Sequence, residues 1–295
     1  MKFQYASDLH LEFYQQMTNF STILEPVAPV LVLAGDIGYP WQTITVRFLG
    51  WCAAHWKHVI WVYGNHEYFN YRQSTKWKYG GTVYTMEECD NWAATHMANL
   101  PNLHVLQGET LILPEYPDVL IYGGTLWSEI SAEVHAAEVG SMADFRLIAM
   151  GRNEAGDPVP ISLERRVELY RKDLAALEAA VSTATAAKQK LLVVTHHLPT
   201  YAMIQAKYRD SKTNPYYANR LDHLLKKECL KAWICGHSHG RIIIEHPTYC
   251  GLNARGYPGE QKPENRYQRA AVVDLSVETR KAPAETAEEG PVEFV

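Results

Sequence analysis

The sequence has no apolar run near the ~18 residues that a membrane-spanning helix requires. Cysteine is also scarce, with five in 295 residues, an odd count that includes no C-x-x-C pair. A disulfide framework is therefore not expected, and reduced thiols in the cytoplasm fit better. Lys2 is followed by a strand-like pattern instead of the apolar core of a signal peptide. We expect a cytoplasmic protein that does not associate with membranes.

Positive charge is not in excess either. Lys and Arg number 28 against 33 Asp and Glu, which gives a formal net charge of -5. A broad basic surface for duplex nucleic acid is therefore not favoured. A short phosphate substrate stays possible, because bound cations can be the largest local charges of a site.

The rest of the composition is that of an ordinary globular protein, with 47% hydrophobic and 21% charged residues. The candidate site residues given below run from residue 8 to residue 239, so most of the chain must fold together. We expect one domain over residues 1–276. Residues 277–295 are rich in Glu and are expected to form an acidic, disordered tail.

Five short apolar segments have the composition of buried strands, and each runs directly into a side chain that can bind a divalent metal. They are Phe3–Ser7, Val30–Ala34, Val59–Tyr63, Leu191–Thr195 and Ala232–Cys235. In an open α/β sheet, ligands bind outside the carboxyl ends of the strands. We therefore expect the following side chains to meet at the same edge of one sheet.

The side chains at these strand ends are carboxylates, imidazoles and one amide. Asp36 follows Gly35, which permits a sharp turn, and one carboxylate can bridge two cations. In the His196-His197 pair either imidazole could be the ligand. His196 is preferred as the first residue past the strand, and His197 could instead pack or support a ligand. The candidate metal ligands are Asp8, His10, Asp36, Asn65, His196, His237 and His239.

Each of these signals has an ordinary alternative, such as an aspartate that caps its own turn. Five separate strand ends that all carry ligands are not expected by chance, so the joint pattern predicts two divalent metal ions. A mixed set of oxygen and nitrogen ligands admits Mn, Fe, Zn or Ni. His66 is the candidate acid or electrostatic stabiliser beside the metals, and Glu67 is expected to fix the loop or orient a histidine.

The other elements are less specific. Helices are expected at 41–57, 86–100, 162–180 and 221–227, and strands at 103–106, 111–113, 119–122, 242–245, 249–252 and 271–275. Residues 128–160 contain several Gly and Pro and are expected to form a long irregular insertion.

Aromatic and basic side chains in the loops near the metal edge could stack on a base or contact a phosphate. The alternative is that most of them are solvated or pack the loops. The preferred candidates for substrate binding are Tyr68, Trp127, His197 and Arg255, and the others are Tyr71, Arg72, Lys76, Tyr201, Lys207, Arg209 and Tyr257.

The motifs Asp8-x-His10, Gly35-Asp36, Gly64-Asn65-His66-Glu67, His196 and Gly236-His237-x-His239 resemble, in order, those of the calcineurin-like metallophosphoesterases. The resemblance implies an α/β protein, a four-layer α/β/β/α sandwich of two mixed β-sheets flanked by helices. Gly123–Trp127 and Asn253–Tyr257 resemble segments of an uncharacterised bacterial and phage branch, in which Pro usually stands where this chain has Ala254.

The resemblance also implies roles for the site residues. Asp8, His10, Asp36 and His239 would hold one metal, and Asp36, Asn65, His196 and His237 the other, with Asp36 as the bridge. His66 would assist the leaving group or steady the phosphoryl oxygens.

The expected function is that of a dinuclear-metal-dependent phosphoesterase. A metal-bridging hydroxide would attack a phosphomonoester or phosphodiester directly, and the substrate is expected to be a nucleotide or another small molecule. One alternative is a DNA or RNA nuclease of the same fold, which would need a longer groove. A protein Ser/Thr phosphatase is a second, but the chain lacks the Arg-bearing motif of those enzymes. A non-catalytic scaffold of the same fold is a third alternative. Such a protein should have lost some of the metal ligands, and all of them are present here. The oligomeric state cannot be inferred.

Overall fold

The computed structural model describes residues 1–14, 16–69, 82–245, 247–261 and 266–276. The strands are β1 (Lys2–Ala6), β2 (Val30–Ala34), β3 (His58–Val62), β4 (Leu103–Leu106), β5 (Glu109–Leu111), β6 (Val119–Gly124), β7 (Ala149–Arg152), β8 (Pro158–Pro160), β9 (Lys190–Thr195), β10 (Leu230–Cys235), β11 (Arg241–Ile244), β12 (Tyr249–Asn253) and β13 (Val272–Asp274). The helices are α1 (Thr43–His55), α2 (Met86–His96), α3 (Ala132–Glu138), α4 (Asp144–Leu147), α5 (Leu163–Ala186) and α6 (Asp222–Leu225).

Two mixed sheets contain most of the strands. The first has the order β13-β1-β2-β3-β4, and only the edge strand β13 is antiparallel to its neighbour. The second has the order β11-β12-β10-β9-β6-β5, with parallel central strands and antiparallel edge strands β11 and β5. The central strands read as nearly continuous apolar runs because both of their faces are covered.

Three apolar clusters define the layers. One lies between the sheets and contains inward side chains of both, such as Val32 and Ile234. A second packs Phe48 of α1 and Cys89 of α2 on the outer face of the first sheet. The third packs Leu177 of α5 on the outer face of the second sheet. The four-layer α/β/β/α sandwich of two mixed sheets is thereby confirmed.

The prediction that the five strand ends share one sheet is wrong. Strands β1, β2 and β3 belong to the first sheet, whereas β9 and β10 belong to the second. The two sheets meet at the site edge through an isolated parallel bridge between Ser7 and Ala254. The Ser7 N–H donates to the Asn253 carbonyl at 3.1 Å. Pairing between distant segments decides which sheet a strand joins, and the local pattern carries no signal for it.

Residues 128–160 were expected to form an irregular insertion, and this prediction is wrong. They form α3, α4 and the hairpin of β7 and β8. Ser131 caps α3 by accepting a hydrogen bond from the Val134 N–H, and Gly156 turns the hairpin with a φ of 84°. Helix α5 runs six residues past the expected end at residue 180 because Val181 and Ala184 still face the core.

The limits of the other helices and strands differ less from those predicted. Helix α2 ends at His96 instead of residue 100, and β5 spans Glu109–Leu111 instead of 111–113. All five cysteines lie in the described residues and are free, as expected. Within the described ranges, no helix is both long and apolar enough to cross a membrane. The domain limit at residue 276 and the cytoplasmic location stay predictions, and the expected tail lies outside the described residues.

Candidate metal centre

The backbone turns sharply where the strands end. Asp8, His10, Asp36 and His237 all adopt left-handed conformations, with φ of 50°, 49°, 53° and 68°. Such conformations are uncommon for residues other than glycine, and they concentrate at functional sites. Here the turns direct four of the seven candidate ligands into the space where the two sheets meet.

Asp8, His10 and His239 form a first cluster of ligand atoms that lie within 4.8 Å of one another. The Nε2 atoms of His10 and His239 are 3.0 Å apart, and His239 Nε2 is 3.6 Å from Asp8 Oδ1. Asp8 and His10 are fully buried. Two imidazole nitrogens and a carboxylate that face one point form a donor set suited to a divalent transition metal.

Asp36, His196 and His237 form a second cluster of the same kind. The Nε2 atom of His196 lies 3.3 Å from Asp36 Oδ1 and 3.2 Å from His237 Nδ1. The Asn65 amide joins the cluster, with its Oδ1 atom 3.1 Å from the same nitrogen.

The Asp36 carboxylate lies between the two clusters. Its Oδ1 atom faces His196, and its Oδ2 atom is 3.9 Å from His10 Nε2. The structure therefore brings all seven candidate ligands together, with one carboxylate shared by two groups of ligands.

The hydrogen bonds of the Nδ1 atoms, which face away from the clusters, indicate whether these histidines are oriented to bind a metal. His10 Nδ1 lies 3.0 Å from Glu12, His196 Nδ1 lies 3.0 Å from the Ala34 carbonyl, and His239 Nδ1 lies 2.5 Å from Glu260. In the neutral imidazole, donation from Nδ1 to these oxygens leaves an unprotonated Nε2 that faces inward. Metal-binding histidines are held in this way, so the residues fit a divalent metal.

His196 and His197 occupy different positions relative to the second cluster. His196 belongs to the second cluster, whereas His197 turns away from it. The His197 Nε2 atom lies 3.3 Å from the Arg166 guanidinium, which can only donate, and Nδ1 lies 3.4 Å from the Thr125 carbonyl. Burial, followed by nearby His237 and Arg166, holds the pKa of His197 well below its usual value. A neutral His197 therefore lies behind the second cluster, next to Arg166 and Thr125.

His66 lies beside the two clusters and belongs to neither of them. Its Nδ1 atom is 3.0 Å from Glu12 Oε1, and its Nε2 atom is 3.0 Å from the Tyr257 hydroxyl. Burial lowers the pKa of His66, but the negative charge of Asp36 and the hydrogen bond to Glu12 outweigh burial and raise the pKa to about 9. Bound cations would act in the opposite direction.

A family model described as calcineurin-like phosphoesterase matches residues 1–241. The chain belongs to the calcineurin-like phosphoesterase family. It is therefore a metal-dependent hydrolase of phosphoric esters, and the two His and Asp groups are where divalent metal could be held.

Two relatives match nearly the whole phosphoesterase. An uncharacterized protein of Acanthamoeba polyphaga mimivirus is 23% identical over an alignment that covers 92% of this chain and 96% of the viral one. The structure of phosphopantetheinyl hydrolase (PptH) from Mycobacterium tuberculosis superposes with a TM-score of 0.64 at 16% identity. That match covers 92% of this chain and 95% of the other, and at this identity it shows a shared fold alone.

Glu67 of this phosphoesterase was expected either to fix the loop after β3 or to orient a histidine, and its contacts match the first role. Its carboxylate accepts hydrogen bonds from the backbone N–H groups of Asp36, Ile37 and Gly64 at 2.9, 2.7 and 2.7 Å. These bonds tie the turn after β2 to the turn after β3, and they hold Asp36 and Asn65 in register.

Three of the preferred substrate-binding candidates are buried. Tyr68 is 4% exposed and donates its hydroxyl to Asp90 at 2.8 Å, and Trp127 is 2% exposed beneath the Arg166 guanidinium. His197 is fully buried. Their polar and ring contacts lie inside the protein, so the structure does not support direct substrate contact by these three residues.

The other candidates divide by position. Arg255 is half-buried, with its guanidinium 4.5 Å from the Tyr14 ring centre, and Tyr257 contacts His66. Tyr201 lies under Arg220, and Lys207 and Arg209 are exposed. Tyr71, Arg72 and Lys76 lie outside the described residues.

Several residues of the site escape sequence reasoning. Asp144 of α4 accepts a hydrogen bond from Asn65 Nδ2 at 3.0 Å, which turns the amide oxygen toward His196. Arg166 of α5 is fully buried and lies 3.4 Å from Asp144. Phe13 is 54% exposed, and its ring meets the Tyr257 ring edge-on at 5.6 Å. Glu12 is the fourth and contacts two histidines.

Proposed function

We propose that this phosphoesterase binds two divalent cations and hydrolyses a small phosphomonoester or phosphodiester, such as a nucleotide. One observation carries the proposal. The two oxygens of the Asp36 carboxylate face different groups of ligands, His196 at 3.3 Å and His10 at 3.9 Å. A buried carboxylate that is shared in this way is the arrangement that a pair of metals needs.

Each cation would have four protein ligands. Asp8, His10, Asp36 and His239 would hold one, and Asp36, Asn65, His196 and His237 the other. When bound, the cations would supply Lewis acidity and an activated water for direct attack on phosphorus. This set of oxygen and nitrogen donors suits Mn, Fe, Zn or Ni.

The role of His66 is to place a proton at the side of the departing oxygen. Glu12 fixes its Nδ1 atom, so Nε2 faces the Tyr257 hydroxyl at 3.0 Å and the Asp36 carboxylate at 4.0 Å. As the bond between phosphorus and the leaving oxygen breaks, the Nε2 proton would pass to that oxygen. The same N–H can instead donate to a phosphoryl oxygen.

The rim around the clusters supports a compact substrate with a planar group. Phe13 and Tyr257 lie on the His10 side, and Tyr217 stacks on His237 at 4.6 Å on the other. Aromatic rings of this kind can stack on a nucleobase. The formal net charge of -5 opposes a long nucleic-acid groove.

The test is a panel of substrates with added Mn²⁺. It compares a phosphomonoester, a phosphodiester, cyclic nucleotides, single-stranded DNA and a phosphopantetheinyl ester. The last is included because the Mycobacterium tuberculosis protein is named for that group. We expect turnover of small esters and none of the polymer. Cleavage of DNA without turnover of small esters would favour a nuclease instead.

The matched variants are Asp36→Ala and Asp157→Ala. Asp36 contacts both clusters, so its loss should abolish metal-dependent turnover. Asp157 is exposed in the hairpin of β7 and β8, and its replacement should leave the rate unchanged. An Asp36→Ala variant with the wild-type rate and metal content would refute the dinuclear scheme.

A further inference from the structure

Glu12 lies between two histidines that would do different work. It is 3% exposed and belongs to the single helical turn Leu11–Phe13. Its Oε1 atom is 3.0 Å from Nδ1 of His10 and 3.0 Å from Nδ1 of His66. One carboxylate oxygen therefore accepts hydrogen bonds from both rings.

We infer that Glu12 is a positioning residue that couples metal binding at the first cluster to proton donation by His66. The inference rests on the proposed function, because it assigns His10 to the metal and His66 to the leaving group. It adds that the two tasks depend on one carboxylate, which lies outside the five motifs.

Glu12 lies on a backbone turn that hydrogen bonds hold in place. The left-handed backbone at His10 starts the turn, and the Phe13 N–H closes it on the His10 carbonyl at 3.1 Å. The Leu11 N–H donates to the Ile37 carbonyl at 2.9 Å. The backbone that carries the Glu12 carboxylate is therefore held in place by hydrogen bonds on both sides of the turn.

The rings of His10 and His66 contact each other directly. They meet edge-to-face, with centres 4.5 Å apart and planes at 70°. When both Nδ1–H groups donate to Glu12, the two Nε2 atoms lie 3.9 and 4.0 Å from Asp36 Oδ2, but their nearest partners differ. His10 Nε2 faces the first cluster at 3.0 Å from His239, and His66 Nε2 faces Tyr257 at 3.0 Å.

The burial of the Glu12 carboxylate has an energetic cost. The Glu12 Oε2 atom is buried and has no hydrogen-bond partner among the described residues. A carboxylate buried with one oxygen unpaired costs free energy that an apolar side chain would not. Packing alone would not place a charge there, whereas the orientation of two functional rings would.

The test compares Glu12→Gln with Glu154→Gln in the full chain. Glutamine keeps the shape but removes the charge, and Glu154 is exposed in the hairpin of β7 and β8. Calorimetric titration of metal-free protein with Mn²⁺ comes first. In Glu12→Gln we expect one of two Mn²⁺ sites to weaken by roughly 10–100-fold and the other to keep its affinity. Glu154→Gln should match wild type.

The second readout is the dependence of kcat on the leaving group at saturating Mn²⁺. A variant that has lost proton donation should lose more kcat on an alkyl phosphate than on p-nitrophenyl phosphate, whose leaving group needs no proton. The expected extra loss is about 10²-fold or more. A purely structural role would lower both rates equally.

A third readout needs no variant and covers the case in which Glu12→Gln does not fold. In protein loaded with diamagnetic Zn²⁺, long-range ¹H–¹⁵N spectra should show a proton on Nδ1 of both His10 and His66. Loss of that proton from either ring would overturn the inference, as would unchanged Mn²⁺ affinity together with an unchanged leaving-group dependence. If no ester is turned over by wild type, the proposed function fails, while the Mn²⁺ titration still tests the His10 half separately.

Discussion

Replacing Gly64 by Ala should weaken metal binding strongly without unfolding the chain. A Cβ atom at this position would lie 2.2 Å from Asp36 Oδ1 and 2.7 Å from His196 Nε2. Neither side chain is free to retreat. Asp36 Oδ1 accepts from the His66 N–H at 2.9 Å, and His196 Nδ1 is 3.0 Å from the Ala34 carbonyl.

The size of the effect follows from the required displacement. An ordinary contact of about 3.5 Å would force Asp36 Oδ1 to move by roughly 1 Å. Ligand positions in metal sites are fixed to within about 0.2 Å, so the carboxylate would leave both coordination spheres. We expect the affinity for Mn²⁺ to fall by about 100-fold or more, beyond the usual effect of a supporting residue. Crowding should cost about 1–3 kcal/mol of folding free energy.

Calorimetric titration with Mn²⁺ and urea unfolding provide the assay. The control is Gly50→Ala in the middle of α1, where an added Cβ meets nothing within 4 Å. Alanine is the better helix former, so the control should gain about 0.5–1 kcal/mol of stability and keep its metal affinity. Wild-type Mn²⁺ affinity in Gly64→Ala would refute the close approach of Gly64, Asp36 and His196 that the reasoning requires.

Three further changes probe the surroundings of the site. Asp144→Ala should weaken one Mn²⁺ site by roughly 10–100-fold in calorimetry because the Asn65 amide loses its anchor, and an equal loss at both sites would contradict this. Arg166→Met leaves the buried Asp144 unpaired and should lower the free energy of unfolding by about 3–5 kcal/mol in urea, so a change below 1 kcal/mol would count against the pair. Burial raises the pKa of Asp173 from 3.8 to about 6, so the stability due to its proton is complete below about pH 4 and is lost as the pH rises through 6. Asp173→Asn should therefore lose roughly 1–3 kcal/mol less stability than wild type between pH 4 and pH 7, and an identical loss would refute this.

The strands and the ligand candidates could be inferred from local patterns. Val30–Ala34 is predicted and found with the same limits, because a strand buried on both faces is a continuous apolar run. A polar side chain directly after such a run must lie at the carboxyl end of a strand. The assignment of β9 and β10 to a second sheet depends on pairing between distant segments, and their residues give no sign of it.

The supporting residues could not be inferred because their partners are distant in sequence. Glu12 contacts His66, which lies 54 positions away, and Asp144 contacts Asn65, which lies 79 positions away. Arg166 stands in the first turn of an amphipathic helix, where a charged side chain is normally solvated. Its burial follows from Asp144, which the insertion supplies.

Loop position alone does not predict which side chains are exposed at the metal edge. Tyr68 and Trp127 lie in segments next to the metal edge, but their rings fill space beneath it. Phe13 has no motif around it and is exposed at the rim because the turn after His10 directs it outward.

The most direct test of the paired-metal site is a crystal structure of the protein grown with Mn²⁺, with data collected at the manganese absorption edge. We expect two anomalous peaks about 3.5–4 Å apart, with the Asp36 carboxylate between them. A single peak, or peaks that do not contact Asp36, would contradict the account.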